Sequence, residues 1–181
     1  RMSFVSYDSQ ITLHFRDFFR AIIKDFLTSQ KKFVFVEDNT WNLLYAETLI
    51  EILPEAKFIH VVRDPRDVVC SMLNQRWCPN DIDQACIYYS SLMTRILVSK
   101  GRMASGTLIE FKMEDLISKD RKLINTINKF TGLDHRLGIL NTDYSYNSVG
   151  RWRRDLNAED QAKLNSYLDD YVTRLGYMID M

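Results

Sequence analysis

The sequence predicts an α/β fold, a parallel sheet with helices on both faces, and two observations predict it. Short apolar runs rich in β-branched and aromatic residues alternate with longer stretches of helical period, the pattern of βαβ units. The stretch "FIHVVRDPRDVVCSM" at 58–72 passes from a buried-strand pattern directly onto a Pro, which suits the first position of a helix.

Each element follows from its own residues. From Ile11 to Leu27, the residues Leu13, Phe15, Phe18, Phe19, Ile22, Ile23, Phe26 and Leu27 recur at helical spacing, predicting an amphipathic helix packed on another element. "KFVFVE" at 32–37 reads as a first buried strand. "NLLYAETLIEIL" at 42–53 is helical and stops at Pro54. "FIHVV" at 58–62 is the second strand, "PRDVVCSMLNQ" the helix after it, and "IDQACIYYSSLMTRILVSK" at 82–100 a longer helix. "TLIEF" at 107–111 is the third strand, followed by the helix "RKLINTINKF". Gly132 ends that helix, since glycine accepts the left-handed conformation there. Asn157 caps the closing helix and Gly176 ends it. No repeat, low-complexity tract or linker divides the chain, so residues 1–181 read as a single domain.

Composition excludes several classes of function. Twenty-four basic residues balance twenty-four acidic ones, so no global field recruits nucleic acid or anionic membrane, and any anion site must be built locally. The longest apolar run is far short of the roughly 20 residues that cross a bilayer. The chain begins at Arg1, before Met2, with no signal-peptide pattern, which reads as a processed, tagged or incomplete chain. Cys70, Cys78 and Cys86 form no CxxC pair and have no His cluster beside them, so structural thiols are expected, with no metal. The absence of an N-x-S/T sequon favours the cytoplasm, with the Golgi lumen left open.

"GRMASGT" at 101–107 has two glycines at Walker A spacing, but no Lys follows Gly106 and the segment leads into a strand. It is a helix-to-strand turn and not a phosphate loop. In open α/β sheets, ligands bind beyond the carboxyl ends of the strands. "EDNTWN", "RDPRD" and "KMEDL" leave those ends. In "RDPRD", Asp64 is a natural N-cap, Pro65 suits the first helical position, and Asp67 in the first turn favours the helix dipole. Helix capping leaves Arg63 and Arg66 unexplained, because cations are unfavourable at a helix N-terminus. An external anion would account for them. Ser71, slightly over two turns after Arg63, falls on roughly the same face. On these residues alone, an anion site and a solvated salt-bridge cluster both stand.

The stretch 58–72 resembles the 3′-phosphate-binding segment of sulfotransferases that use 3′-phosphoadenosine 5′-phosphosulfate (PAPS), in which a strand ends in Arg and a Ser eight residues on completes the site. Three further stretches are similar to the family in the same order: "FVEDNTWNLLYAETLIEILPEAKFIHVVRDP", "LIEFKMEDLISKDRKLINTINKFTGLD" and "NSVGRWRRDLNAED". The resemblance covers about residues 30–178 and implies a P-loop-NTPase-like sulfotransferase fold, incomplete at its N-terminus. It assigns Arg63 and Ser71 to the 3′-phosphate. It assigns Gly150, Arg151, Trp152 and Arg153 to the loop that closes over the nucleotide, with Arg66 a flanking cation or salt-bridge partner. Trp152 then either lines the nucleotide site or plugs the core.

The chain also departs from the family. Asp38 follows Glu37 where the family has a Lys thought to assist the departing phosphate oxygen, and an Asp there would repel developing negative charge. Met113 replaces a customary aromatic. The 5′-phosphosulfate loop expected upstream of the first helix is absent from the sequence.

The resemblance implies in-line transfer of a sulfuryl group from PAPS to a hydroxyl or amine, with release of 3′-phosphoadenosine 5′-phosphate (PAP) and no metal. Glu37 is the base candidate in this sequence, and a carboxylate at a helix start is its plainer reading. His60, mid-strand, reads as a satisfied core residue. The alternative function is a non-catalytic PAP-binding or interaction domain of the same fold. Acceptors from small molecules, glycans, lipids and peptides are all compatible, and exposed apolar surface makes a homo-oligomer an expectation.

Overall fold

The computed structural model describes residues 5–134, 136–143 and 149–178. Helix α1 (Val5–Ser29) leads through an extended segment to a 3₁₀ turn (Asn42–Tyr45) continuous with α2 (Ala46–Ile52). Strand β1 (Phe58–Val62) feeds α3 (Pro65–Met72) and α4 (Ile82–Arg102), and the chain returns as β2 (Leu108–Lys112). Short helices α5 (Met113–Ile117), α6 (Arg121–Thr131), α7 (Arg136–Asn141) and α8 (Trp152–Asp155) precede the closing α9 (Ala158–Arg174).

The element boundaries rest on local chemistry. Asp64, Asp81, Asp120 and Asn157 cap α3, α4, α6 and α9, their side chains accepting first-turn amides that have no partner inside the helix. Gly132 closes α6 at φ 75°, and Gly106, in the α4-to-β2 turn, sits at φ 85°. "GRMASGT" is therefore the turn its sequence predicts.

Strands β1 and β2 run parallel in register from Phe58 beside Leu108 to Val62 beside Lys112, joined by the crossover through α3 and α4. The fold is α/β, with a small parallel sheet flanked by helices. Val69, Cys86, Tyr89, Met93, Leu164 and Leu168 form the centre of the core, where α3, α4 and α9 meet Phe58 of the sheet.

Two expectations are corrected. "KFVFVE" is not a strand: it is extended, with Phe33 95% and Val36 81% exposed. High strand propensity forms no strand without an adjacent edge to supply hydrogen bonds, and among the described residues no strand pairs with this segment. The sheet is also not covered evenly on both faces. Phe58 and Val62 are buried, while Ile59 and Val61, pointing the other way, are 43% and 44% exposed. Helix α1 does pack on another element, chiefly α2, anchored by Arg16 Nη2 donating to the Glu51 carbonyl at 2.6 Å and by Arg20 pairing with Glu55 at 2.7 Å. Phe15, Phe18, Ile22 and Phe26 stay exposed. Among the described residues no helix is long and apolar enough to cross a membrane, and no group of His, Cys, Asp and Glu could hold a metal ion.

Candidate functional site

The site forms where β1 ends and α3 begins. Asp64 caps α3, its Oδ1 accepting the Arg66 N–H at 2.9 Å. The Arg66 side chain folds back onto the same carboxylate, Nε to Oδ1 at 3.0 Å and Nη2 to Oδ2 at 2.7 Å. It also donates to Asn165 Oδ1 on α9 at 3.3 Å and to the Met178 carbonyl at 2.9 Å. Arg66 is only 2% exposed. Its charge is consumed inside the fold, so the salt-bridge reading applies to it, and it ties the start of α3 to the C-terminal segment.

Asp67 has a larger role than dipole complementarity. It is fully buried, its Oδ2 accepting the Gly150 N–H at 2.7 Å and its Oδ1 the Trp152 N–H at 3.1 Å. Arg63 Nη2 lies 3.7 Å from the same Oδ2, one helical turn away in sequence. One carboxylate thus joins the strand end carrying Arg63 to the loop carrying Gly150–Arg153. The sequence reading missed this. The signal available was the i,i+4 spacing of Arg63 and Asp67.

Gly150 adopts φ 66°, which a side chain would resist. Trp152 is 2% exposed, with the guanidinium carbons of Arg66 and Arg153 each 4.4 Å from its ring centroid. An indole so enclosed is a core plug, and it presents no open face for an adenine to stack on. Its Nε1 is buried without a hydrogen-bond partner among the described residues. Arg151 pairs with Asp155 at 2.7 Å, which holds its guanidinium firmly protonated. It also lies beside Cys70, whose thiol burial pushes up. Ser71 is half-buried, one turn beyond Asp67 on α3. The Asn147-Ser148 start of the loop lies outside the described residues.

Arg63, Ser71 and Gly150–Arg153, far apart in sequence, are therefore carried by two segments that Asp67 joins directly. Among the described residues, no contact of its own brings Glu37 to them. It is exposed, follows no strand, and accepts a hydrogen bond from the Asn42 amide at the start of the 3₁₀ turn.

The carboxyl end of β2 is covered by the protein itself. Tyr177 donates to Glu114 Oε2 at 2.7 Å, and Lys112 lies 4.4 Å from the Tyr177 ring centroid, so the C-terminal segment covers "KMEDL". His60 is satisfied, as its mid-strand position predicts: Nδ1 contacts Glu110 Oε2 at 2.6 Å on the neighbouring strand, and Lys100 bonds the same oxygen. These partners, the His60 hydrogen bond first, hold the Glu110 carboxyl far below the usual range, at about 2. All three cysteines are free and buried, and burial pushes the Cys86 thiol up to about 12.

The family model that matches this chain is described as the sulfotransferase family, and it aligns with residues 2–136. The chain belongs to the sulfotransferase family, whose fold is P-loop-like. The match includes Glu37, Arg63 and Ser71 and ends before the Gly150–Arg153 loop. No curated protein and no solved structure matches the chain.

Proposed function

We propose that this chain supplies the 3′-phosphate half of a donor site for sulfuryl transfer from PAPS to a hydroxyl or amine. The observation that carries the reading is the Asp67 carboxylate, which fixes the Gly150–Arg153 loop against the strand end bearing Arg63. Arg63, at the strand end, supplies charge to a 3′-phosphate, Ser71 a hydroxyl from the helix that follows, and Arg151 and Arg153 charge from the closing loop. In the transfer, the acceptor oxygen or nitrogen forms a bond to sulfur as the bond from sulfur to the bridging oxygen breaks. PAP leaves with that electron pair, and a base takes the acceptor proton. Glu37 is the carboxylate proposed for that proton.

Calorimetric titration with PAP and with adenosine 5′-phosphosulfate, which lacks the 3′-phosphate, tests the assignment. PAP should bind at least about tenfold more tightly, the worth of one charged hydrogen bond. Equal affinities would overturn the roles of Arg63 and Ser71. Asp38, standing where the family has a Lys, favours a second reading, nucleotide binding without transfer. PAP binding with no transfer of labelled sulfate to any acceptor class would select it.

A further inference from the structure

Six side chains of α1 belong neither to the core nor to the donor site. Ile11, Phe15, Phe18, Ile22 and Phe26 follow one another by three or four residues, with Phe19 alongside, so they form one apolar stripe along the helix. All six are between 39% and 60% exposed. The rings touch one another: Phe15 stacks on Phe19 at 6.0 Å, and Phe18 meets Phe19 edge-on at 6.2 Å. Arg16 and Arg20 turn instead toward α2 and the residues after it. By helical spacing Asp17 and Lys24 fall on the side away from the stripe, which therefore runs uncharged for about 22 Å.

Two properties of the stripe select its occupant. The first is area. A phenylalanine at about half exposure still offers about 100 Å² to a partner, so the six side chains offer about 600 Å². A contiguous apolar patch of that size marks a contact surface. Two such stripes face to face remove about 1,200 Å² from water, which reaches the range of specific protein–protein interfaces. The second is self-complementarity. With two copies antiparallel about a two-fold axis between Phe18 and Phe19, Ile11 of one lies at the level of Phe26 of the other, Phe15 at that of Ile22, and Phe18 at that of Phe19. Every residue of the stripe then meets a residue of the stripe, and the contact closes with two copies.

We propose that the apolar stripe of α1 docks a second copy of this chain, the two helices lying antiparallel across a two-fold axis at Phe18 and Phe19. Charge favours that direction. His14 and Asp25 are exposed and border the stripe on the same flank, about three turns apart. Antiparallel packing brings Asp25 of one copy to within about one turn of the partner subunit's His14. Parallel packing would set Asp25 against Asp25, a repulsion between like charges.

The test is sedimentation velocity of the full chain over a range of concentrations. A reversible monomer–dimer equilibrium with a midpoint of about 1–100 µM is expected. Phe18→Asp places two like charges at the axis and should raise that midpoint at least about tenfold. Its thermal unfolding should match the parent's, since Phe18 is 60% exposed; Ile22→Lys, on the same stripe, gives the same readout if Phe18→Asp fails to fold. Trp77→Asp changes a half-exposed aromatic outside the stripe and should leave the dimer intact. Spin labels on Thr28→Cys report the direction, because the native cysteines are buried. They should lie about 30 Å apart in the antiparallel dimer, against about 10 Å in a parallel one. A monomer at every concentration would overturn the proposal and leave the stripe to a partner other than this chain. So would a dimer that survives both stripe variants, equal dissociation by Trp77→Asp, or the short spin-label distance.

Discussion

The carboxylate of Asp67 holds the backbone of Gly150 across 83 residues of sequence, Oδ2 accepting the amide proton at 2.7 Å. The same side chain takes the Trp152 N–H through its other oxygen. The acceptor is shielded from solvent, since Asp67 is fully buried; of the donors Trp152 is nearly so and Gly150 is half-buried. A buried hydrogen bond to a charged group contributes about 1.5–3 kcal/mol. The Asp67→Asn variant keeps one acceptor oxygen but turns an N–H toward one of the two amides, so a net loss of about 2–4 kcal/mol is expected. Thermal unfolding should show it as a fall of roughly 5–12 °C for a domain of this size. Amide exchange at Gly150 should accelerate more than exchange in the core of α4. Unchanged protection at Gly150 would show that the loop is held by other contacts.

Arg63 and Arg66 are neighbours in sequence with opposite expected phenotypes. Arg66 is enclosed by Asp64, Asn165, the Met178 carbonyl and the Trp152 ring. Removing one member of a buried pair strands the other charge, at a cost of about 3–5 kcal/mol. Arg66→Met should therefore shift the urea midpoint strongly. Arg63 is 3.7 Å from its carboxylate and more accessible. Arg63→Ala, which leaves Asp67 its two backbone hydrogen bonds, should shift that midpoint less than Arg66→Met and cost about 1.5–3 kcal/mol of PAP binding, the scale of a lost charged hydrogen bond. Urea unfolding and calorimetry on the two variants read this out, and a reversed pattern would exchange their roles.

Glu110 gives the fold an acid-sensitive contact between its strands. Its carboxyl is held at about 2, chiefly by the His60 hydrogen bond and then by Lys100. Because the folded value lies below the unfolded one, the ionised form is favoured by folding. The stabilisation is present above about pH 4.5 and is lost as pH falls toward about 2. With the side chain one-third exposed, solvent screening reduces the contribution to about 1–2 kcal/mol. In Glu110→Gln the loss of stability between those pH values should be shallower than in the parent protein. Parallel curves in urea titrations across that range would count against the contact.

The sequence carried information of unequal reach, and the reasons are physical. Strand β1 and helix α3 could be read residue by residue because Asp64, Pro65 and the apolar run are local signals. Gly132 and Asn157 likewise mark helix ends from nearest neighbours. "KFVFVE" misled because propensity is local while strand pairing is not. The role of Asp67 was hidden for the same reason: a carboxylate in a first helical turn already has a sufficient local explanation, and its partners lie 83 and 85 residues away. Trp152 was assigned to two environments that the sequence could not separate, and the positions of Arg66 and Arg153 around it decide between them.

Gly150 tests whether the loop's conformation, and not only its tether, matters to ligand binding. At φ 66° the residue lies in the left-handed region, where a β-carbon costs about 1–2 kcal/mol. An added Cβ would meet Arg153 Nη1 at 3.5 Å, ordinary contact distance, so backbone strain and not collision dominates Gly150→Ala. The loop can relieve that strain by rotating φ negative, which would turn the amide away from Asp67 and shift Arg151. The expected outcome is a stability loss of no more than about 2 kcal/mol, accompanied by weaker PAP binding. Gly150→Asn, which tolerates the left-handed region better, should recover part of both. If Ala and Asn behave alike, the conformation at Gly150 is not what sets the loop, and the two Asp67 hydrogen bonds alone hold it in place.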